Sequence, residues 1–231
     1  MPRQISFGDA PLSDSPAAEK QPVWDLPTRL FHWLLTGLVG FSWWSAEYHH
    51  LDWHIWSGCA ILTLLIFRLL WGFVGSSTAR FANFVRGPRA MREYLSGRWS
   101  GLGHNPLGAI SVVALLAALA VQVGLGLFSE DTDGLYLGPL ARLVSSDTSD
   151  RLAGLHSLWF NIILGLIALH VAAIIFYRFR GKNLVGPMIT GRARLDPGAQ
   201  PMRPGKWWAA LICLAIGIGI TRWVIAGAPP F

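Results

Sequence analysis

Five long apolar stretches separated by polar segments dominate the pattern of the chain. Each has about the 20 residues that a helix needs to cross roughly 30 Å of hydrocarbon. Lipid offers no partner for an unpaired backbone amide, which excludes open strands, and the sequence lacks the ten-residue alternation typical of an outer-membrane barrel. The pattern therefore predicts an all-α integral membrane protein with transmembrane helices at residues 30–48, 53–74, 107–128, 152–177 and 207–226.

The composition favours the same class. The 231 residues are 52% hydrophobic and 14% charged, and their mean hydropathy is +0.42, which is high for a soluble domain. The first 29 residues are polar and lack the basic start, apolar core and cleavage site of a signal peptide. We therefore expect no signal peptide and a disordered tail at residues 1–22.

The net charge of +6 is unevenly distributed and predicts an orientation rather than nucleic-acid binding. The connections after the second and fourth stretches are rich in arginine and lysine, whereas the connection after the third is acidic. Because basic loops stay cytoplasmic, we expect a cytoplasmic amino terminus and a periplasmic carboxy terminus.

Four of the seven histidines lie in the apolar stretches: His32, His54, His156 and His170. For any one of these histidines taken alone, a hydrogen-bonded packing role is as good an interpretation as a functional one. Ionisable side chains at membrane depth are costly, however, and four together indicate a functional site.

The spacing of these histidines predicts two pairs. His156 and His170 are 14 residues apart on one helix, which places them within about 40° of the same face and roughly 21 Å apart along the axis. His54 begins its helix at the depth of His156, and His32 begins its helix at the depth of His170. We therefore expect His54 to pair with His156 on the periplasmic side, and His32 with His170 on the cytoplasmic side.

Two facing imidazoles favour axial ligation of a haem iron, since zinc would require three or four ligands around one point. The sequence has no Cys-x-x-Cys-His motif, which excludes a c-type cytochrome, and its two cysteines predict no disulfide. We thus predict two bis-histidine haems b that carry electrons across the bilayer. Arg29 and Arg68, near the cytoplasmic helix ends, are candidate partners for the haem propionates.

Several motifs in chain order resemble the bacterial cytochrome b561 and nickel-iron hydrogenase b-type cytochrome family. The resemblance extends over residues 23–191. The matching motifs are Val23-Trp24-Asp25 with Pro27, Arg29, His32 and Trp33; His54-x-x-x-Gly58; Arg68-Leu-Leu-Trp71-Gly-Phe-Val-Gly75 with Ala79-Arg80-Phe81; Gly103-His104-Asn105-Pro106-Leu-Gly108; His156 and His170; Arg180-Gly-Lys-Asn183-Leu-Val185; and Met188-Ile-Thr190-Gly191.

The resemblance implies a four-helix bundle at residues 23–191 in which the fourth helix supplies one ligand to each haem. It also implies electron transfer in the bacterial inner membrane between quinone or quinol and a redox partner, such as a cytochrome c or a dehydrogenase or hydrogenase subunit. Residues 192–231, a linker and the fifth transmembrane helix, fall outside it.

Two other functions remain open from the residues alone. One is a transporter in which intramembrane histidines carry protons or metal ions, although no internal repeat is evident. The other is a membrane anchor, which would leave the four histidines unexplained. We expect no catalytic residues, because no nucleophile with a base and no phosphate loop is present. We attribute Asn105 and Pro106 to the start of a helix, in preference to a role of the neighbouring His104 in proton or quinone chemistry. We assign His49 and His50 to a solvated loop, in preference to proton release during quinol oxidation.

Overall fold

Five long helices make up most of the protein. The computed structural model describes residues 20–98, 102–131, 133–195 and 200–229; most of the predicted disordered tail lies outside these residues. The long helices largely coincide with the predicted transmembrane stretches, and the clearest difference is that α6 begins six residues earlier. They are α1 (Leu26–Glu47), α2 (Leu51–Val74), α5 (Pro106–Leu127), α6 (Ser146–Phe179) and α8 (Trp207–Ile225).

Four of the long helices, α2, α5, α6 and α8, are both long and apolar enough to cross a membrane. Helix α1 has 22 residues but is less apolar, because its sequence includes Arg29, His32 and several tryptophan and serine residues. The prediction of an all-α integral membrane protein with a fifth helix near the carboxy terminus is confirmed.

Short elements complete the two ends of the bundle, and the sequence pattern predicted none of them. The end where α1 begins, called the basic end below, carries α3 (Phe81–Phe84), α4 (Pro88–Leu95) and α7 (Val185–Thr190). At the same end, β1 (Gln21–Pro22) pairs antiparallel with β2 (Arg192–Ala193). The opposite or acidic end carries the connection from α5 to α6, with a 3₁₀ turn at Ala141–Leu143.

Side-chain caps start three of the long helices. The Oδ1 of Asp25 accepts a hydrogen bond from the Thr28 amide at 2.6 Å, and Ser145 caps α6 through the amide of Thr148. The Oδ1 of Asn105 accepts from the Gly108 amide at 2.7 Å, with Pro106 in the first turn. The assignment of Asn105 and Pro106 to a helix start is therefore confirmed.

Helix α2 is the centre of the packing, in contact with α1, α5 and α8, while α6 packs mainly along α5. Helix α6 has few backbone contacts with α1 and α2, and a buried cluster joins it to α2 and α5, with members Ile61, Leu65, Ala118, Leu119, Val123 and Ile163. On the far side of α2, a buried cluster joins α1, α2 and α8, with members Phe31, Phe67, Trp71, Ala79, Ala209 and Cys213.

Helix α8 is an integral part of this bundle. Its contact face carries small residues at four-residue spacing, including Ala209, Cys213 and Gly217. A Cβ atom at Gly217 would lie 2.9 Å from the Thr63 carbonyl oxygen, and the hydroxyl of Thr63 donates to that of Thr221 at 2.9 Å. Small residues thus allow α8 to approach the backbone of α2 closely.

Candidate functional site

His54 and His156 face each other near the acidic end. Their ring centroids are 5.8 Å apart and the ring planes are nearly perpendicular, at 88°. Both rings line a cavity of about 340 Å³ between α1, α2, α5 and α6. The first turn of α2 places His54 there, and the third turn of α6 places His156.

A backbone carbonyl orients each of these two rings. The Nδ1 of His54 lies 2.9 Å from the Ser42 carbonyl oxygen, and the Nδ1 of His156 lies 3.0 Å from that of Gln122. Because a carbonyl oxygen only accepts, each Nδ1 carries the proton and donates, which leaves Nε2 as the basic nitrogen. This arrangement is typical of metal-binding histidines, whose second nitrogen is fixed by a carbonyl or carboxylate.

Glycine residues provide the space beside this pair. Gly58, Gly126 and Gly138 line the cavity, and a Cβ atom at Gly126 would lie 2.9 Å from Cε1 of His156. The side chain of Gln122 also reaches the pair, because its Nε2 is 3.2 Å from Nε2 of His156. The sequence analysis did not single out Gln122, since nothing local marks a glutamine that contacts a residue 34 positions away.

His32, in the second turn of α1, and His170, in the last third of α6, both lie near the basic end. The hydroxyl of Ser111 on α5 is 3.3 Å from Nδ1 of His170. The Nδ1 of His32 is buried and has no hydrogen-bond partner among the described residues. Each of the two predicted pairs therefore combines α6 with a different helix, α2 at one end and α1 at the other.

Arg68 is buried at the same end of the bundle, with only 2% of its surface exposed. Its guanidinium carbon lies 4.8 Å from the centroid of the Phe81 ring and 5.9 Å from that of Phe84. Arg68 forms no ion pair with any described residue. The carboxylate of Asp25 is near enough to stabilise its positive charge but does not pair with it. The Nη1 of Arg68 has no hydrogen-bond partner among the described residues. A buried guanidinium without a paired anion is costly, so this position fits a carboxylate from a bound group.

Arg29 has a structural contact that the sequence did not reveal. Its Nη1 donates to the carbonyl of Ile189, and the indole of Trp33 donates to the carbonyl of Met188 at 3.2 Å, so both side chains join α1 to α7. The Nε of Arg29 is buried without a partner among the described residues. One nitrogen of this guanidinium, Nη1, is therefore already committed to a hydrogen bond within the protein.

His104 lies in the same region, although the sequence analysis assigned it no role beyond the helix start. Its ring centroid is 4.6 Å from that of Trp24 and 4.7 Å from that of Phe84. Burial, followed by the positive charge of Arg68, lowers the pKa of His104 to about 3. The ring is consequently neutral at physiological pH, and its buried Nδ1 has no partner in the described ranges.

His49 and His50 remain at the surface of the acidic end. His50 stacks on Trp53, with ring centroids 4.8 Å apart, and His49 has a left-handed backbone with φ of 58°. Both side chains are exposed. Neither ring lines the cavity between His54 and His156.

The donor set fits an iron porphyrin. Within the described residues, no three His, Cys, Asp or Glu side chains converge as a metal site formed by protein groups alone would require. A haem iron asks the protein for only one or two axial ligands, because the macrocycle supplies the other four. The oriented rings of His54 and His156, the cavity beside them, and the buried guanidinium of Arg68, which has no paired anion among the described residues, meet that requirement.

Comparison with known families agrees with this chemistry. A family model described as prokaryotic cytochrome b561 matches residues 23–191. No curated protein and no solved structure matches the chain significantly. The matched region extends from just before the Asp25 cap to the end of α7 and includes all four intramembrane histidines. The chain therefore belongs to the prokaryotic cytochrome b561 family of multi-pass membrane proteins, which bind haem b and take part in electron transfer.

Proposed function

We propose that the protein binds two haems b, one between His54 and His156 and one between His32 and His170, and carries electrons between them across the bilayer. The observation that supports this most directly is the pair of carbonyl hydrogen bonds at the Nδ1 atoms of His54 and His156. They leave the two Nε2 atoms as the basic nitrogens in a shared cavity, where that of His156 accepts a hydrogen bond from the Gln122 side-chain amide that a bound iron would displace.

When bound, each haem supplies an iron that accepts and donates a single electron. The residues of the chain fix the ligands and exclude water. The Ser42 and Gln122 carbonyls hold the imidazoles of the first pair at a fixed tautomer. Ile163, which is fully buried on α6 between the depths of the two pairs, helps keep the interior apolar.

Arg68 is the stronger candidate partner for a haem propionate, since it is buried and lacks a paired anion among the described residues. Arg29 is the second candidate, with its free Nε but with Nη1 committed to Ile189. Both lie at the basic end, near His32 and His170. These arginines would balance the negative charge that the propionates bring to that end of the bundle.

The charge distribution supports an orientation in the bacterial inner membrane with the basic end in the cytoplasm. The amino terminus would then be cytoplasmic and the carboxy terminus periplasmic. The relay would connect quinone or quinol with a partner redox protein, either a cytochrome c or a dehydrogenase or hydrogenase subunit. Residues 23–191 form the haem-binding unit in this proposal, and residues 192–231 add the linker and α8.

The first experiment is a pyridine haemochrome assay on detergent-purified protein, together with oxidised and dithionite-reduced spectra. About two haems b per chain is the expected result. A single haem per chain would contradict the two-site proposal. Protein that binds no haem after expression with ample haem supply would overturn it and favour proton or metal-ion transport by the intramembrane histidines.

A further inference from the structure

The short helix α4 lies at a membrane surface, because it connects the end of α2 to the start of α5. Ala90 on this helix is buried, whereas Arg89 and Arg92 are exposed. Helix α4 packs against the start of α5. It thus has the inward apolar face and outward basic face of an interfacial helix.

A cluster of polar side chains fixes the position of α4. The hydroxyl of Tyr94 is hydrogen-bonded to that of Tyr177 on α6. The Nδ2 of Asn105 donates to both hydroxyls, at 3.2 and 3.1 Å. Burial and the Tyr177 hydrogen bond raise the pKa of Tyr94 to about 12, so the phenol keeps its proton at physiological pH. The three side chains therefore hold α4 against the ends of α5 and α6.

The outer side of α4 carries a concavity of about 650 Å³ lined by Arg89, Arg92, Glu93 and Arg98. Arg89 is paired with Glu93 at 3.1 Å, and the Nε of Arg98 donates to the Ser96 hydroxyl at 3.1 Å. The side chain of Arg92 has neither a hydrogen bond nor an ion pair with any residue that the structure describes. Three cations against one carboxylate leave a net charge of two positive units at this concavity.

We propose that this concavity binds the headgroup of an anionic membrane phospholipid. Guanidinium groups donate in pairs to phosphate oxygens, which matches the remaining donors of Arg98 and the Arg92 side chain, which has no partner among the described residues. The connection to α5 places these arginines at headgroup depth. Leu95 beside them is 70% exposed, and an acyl chain would cover such a surface while a soluble phosphate would not.

Native mass spectrometry of the detergent-purified protein, titrated with phosphatidylglycerol, tests the proposal. Each arginine near an anionic lipid surface contributes about fivefold in affinity. We expect Arg92→Gln to weaken phosphatidylglycerol binding about fivefold, and the Arg92→Gln/Arg98→Gln double variant about 25-fold. Arg151→Gln, the same change at an exposed position at the acidic end, serves as the matched control and should bind like the wild type.

Three results would overturn the proposal. The first is wild-type phosphatidylglycerol binding by the double variant. The second is equal affinity for phosphatidylcholine, which would show that the net negative charge of the headgroup is not recognised. The third is displacement of phosphatidylglycerol by millimolar glycerol phosphate, which would identify a soluble phosphate as the ligand. The measurement needs no haem signal, so its outcome is independent of the proposed electron transfer.

Discussion

Asp25 accepts a hydrogen bond from the indole nitrogen of Trp71, 3.2 Å away, and thereby joins the start of α1 to the end of α2. The same carboxylate caps α1 through its other oxygen. Both helices carry residues of the candidate site, His32 on α1 and Arg68 on α2. This buried carboxylate therefore holds the start of α1, which carries His32, against the end of α2, which carries Arg68.

Replacement of Asp25 by alanine is expected to lower the free energy of unfolding by about 1–3 kcal/mol, since it removes the cap and leaves the Trp71 indole unpaired. Thermal unfolding in detergent measures this change. Asp133→Ala, at an exposed position near the acidic end, provides the control. Equal melting temperatures for the two variants would contradict the assigned role of Asp25.

Replacement of His156 by alanine is expected to reduce the haem content from about two to about one per chain. The haem at the basic end should remain, because His170 lies about 21 Å away along α6. The pyridine haemochrome assay gives the number. His50→Ala removes a surface histidine from the neighbouring loop and should retain the full content. Loss of both haems with an intact helical spectrum would argue against separate sites.

Gly126→Ala should perturb the haem at the acidic end more than Gly124→Ala does. A Cβ atom at Gly126 meets the ring of His156 at 2.9 Å, whereas nothing lies within 4 Å of one at Gly124. The ring cannot move freely to accommodate the methyl group, because its Nδ1 is bonded to the Gln122 carbonyl. Reduced-minus-oxidised spectra of the two variants, at matched protein concentration, test this difference. Indistinguishable spectra would mean that α5 relaxes around the substitution.

Arg68→Met is expected to act differently on the two forms of the protein. Without haem, the variant should be at least as stable as the wild type, because it removes a buried cation that lacks a paired anion among the described residues. With haem, it should lose affinity at the basic end. Haem titration of apoprotein, monitored by absorbance and by melting temperature, separates the two effects. A destabilised apoprotein with unchanged haem affinity would show that Arg68 only supports packing against Phe81.

The buried, neutral His104 is expected to lower the free energy of unfolding of the apoprotein as the pH falls. Its pKa is about 3 in the fold, against about 6.5 in an unfolded chain. Between these values the unfolded state binds one more proton, so the free energy of unfolding decreases as the pH falls, by up to about 1.4 kcal/mol per pH unit. Thermal unfolding of wild type and His104→Phe between about pH 4.5 and 7 should show a shallower decrease for the variant. Parallel decreases would contradict this origin of acid sensitivity.

The length of the apolar stretches predicted the long helices. One such stretch contained both His156 and His170, and the structure has both on α6. Apolar length is a local property, so the sequence records it directly. The positions of the helix ends were harder to predict: α6 extends back to its Ser145 cap, where apolar residues are sparse.

The contacts that orient the site could not be predicted in the same way. The carbonyl of Gln122 reaches His156 from another helix, and Arg29 meets Ile189 across 160 positions of sequence. Such contacts depend on how the helices pack, and no local pattern encodes them. His104 illustrates the difficulty: its neighbours Asn105 and Pro106 explained the motif locally, while its contacts with Trp24 and Phe84 arise only from the tertiary fold.

Helix α6 packs along α5 but has few backbone contacts with α1 and α2, and its buried contact with α2 runs through the cluster around Ile163. At the acidic end, the two halves of the bundle face each other across the cavity that His54 and His156 line. Haem bound at the proposed sites would add contacts between these halves, and a ligand that binds only the folded state stabilises it. The supply of haem would therefore affect the folding stability of the protein as well as its redox capacity.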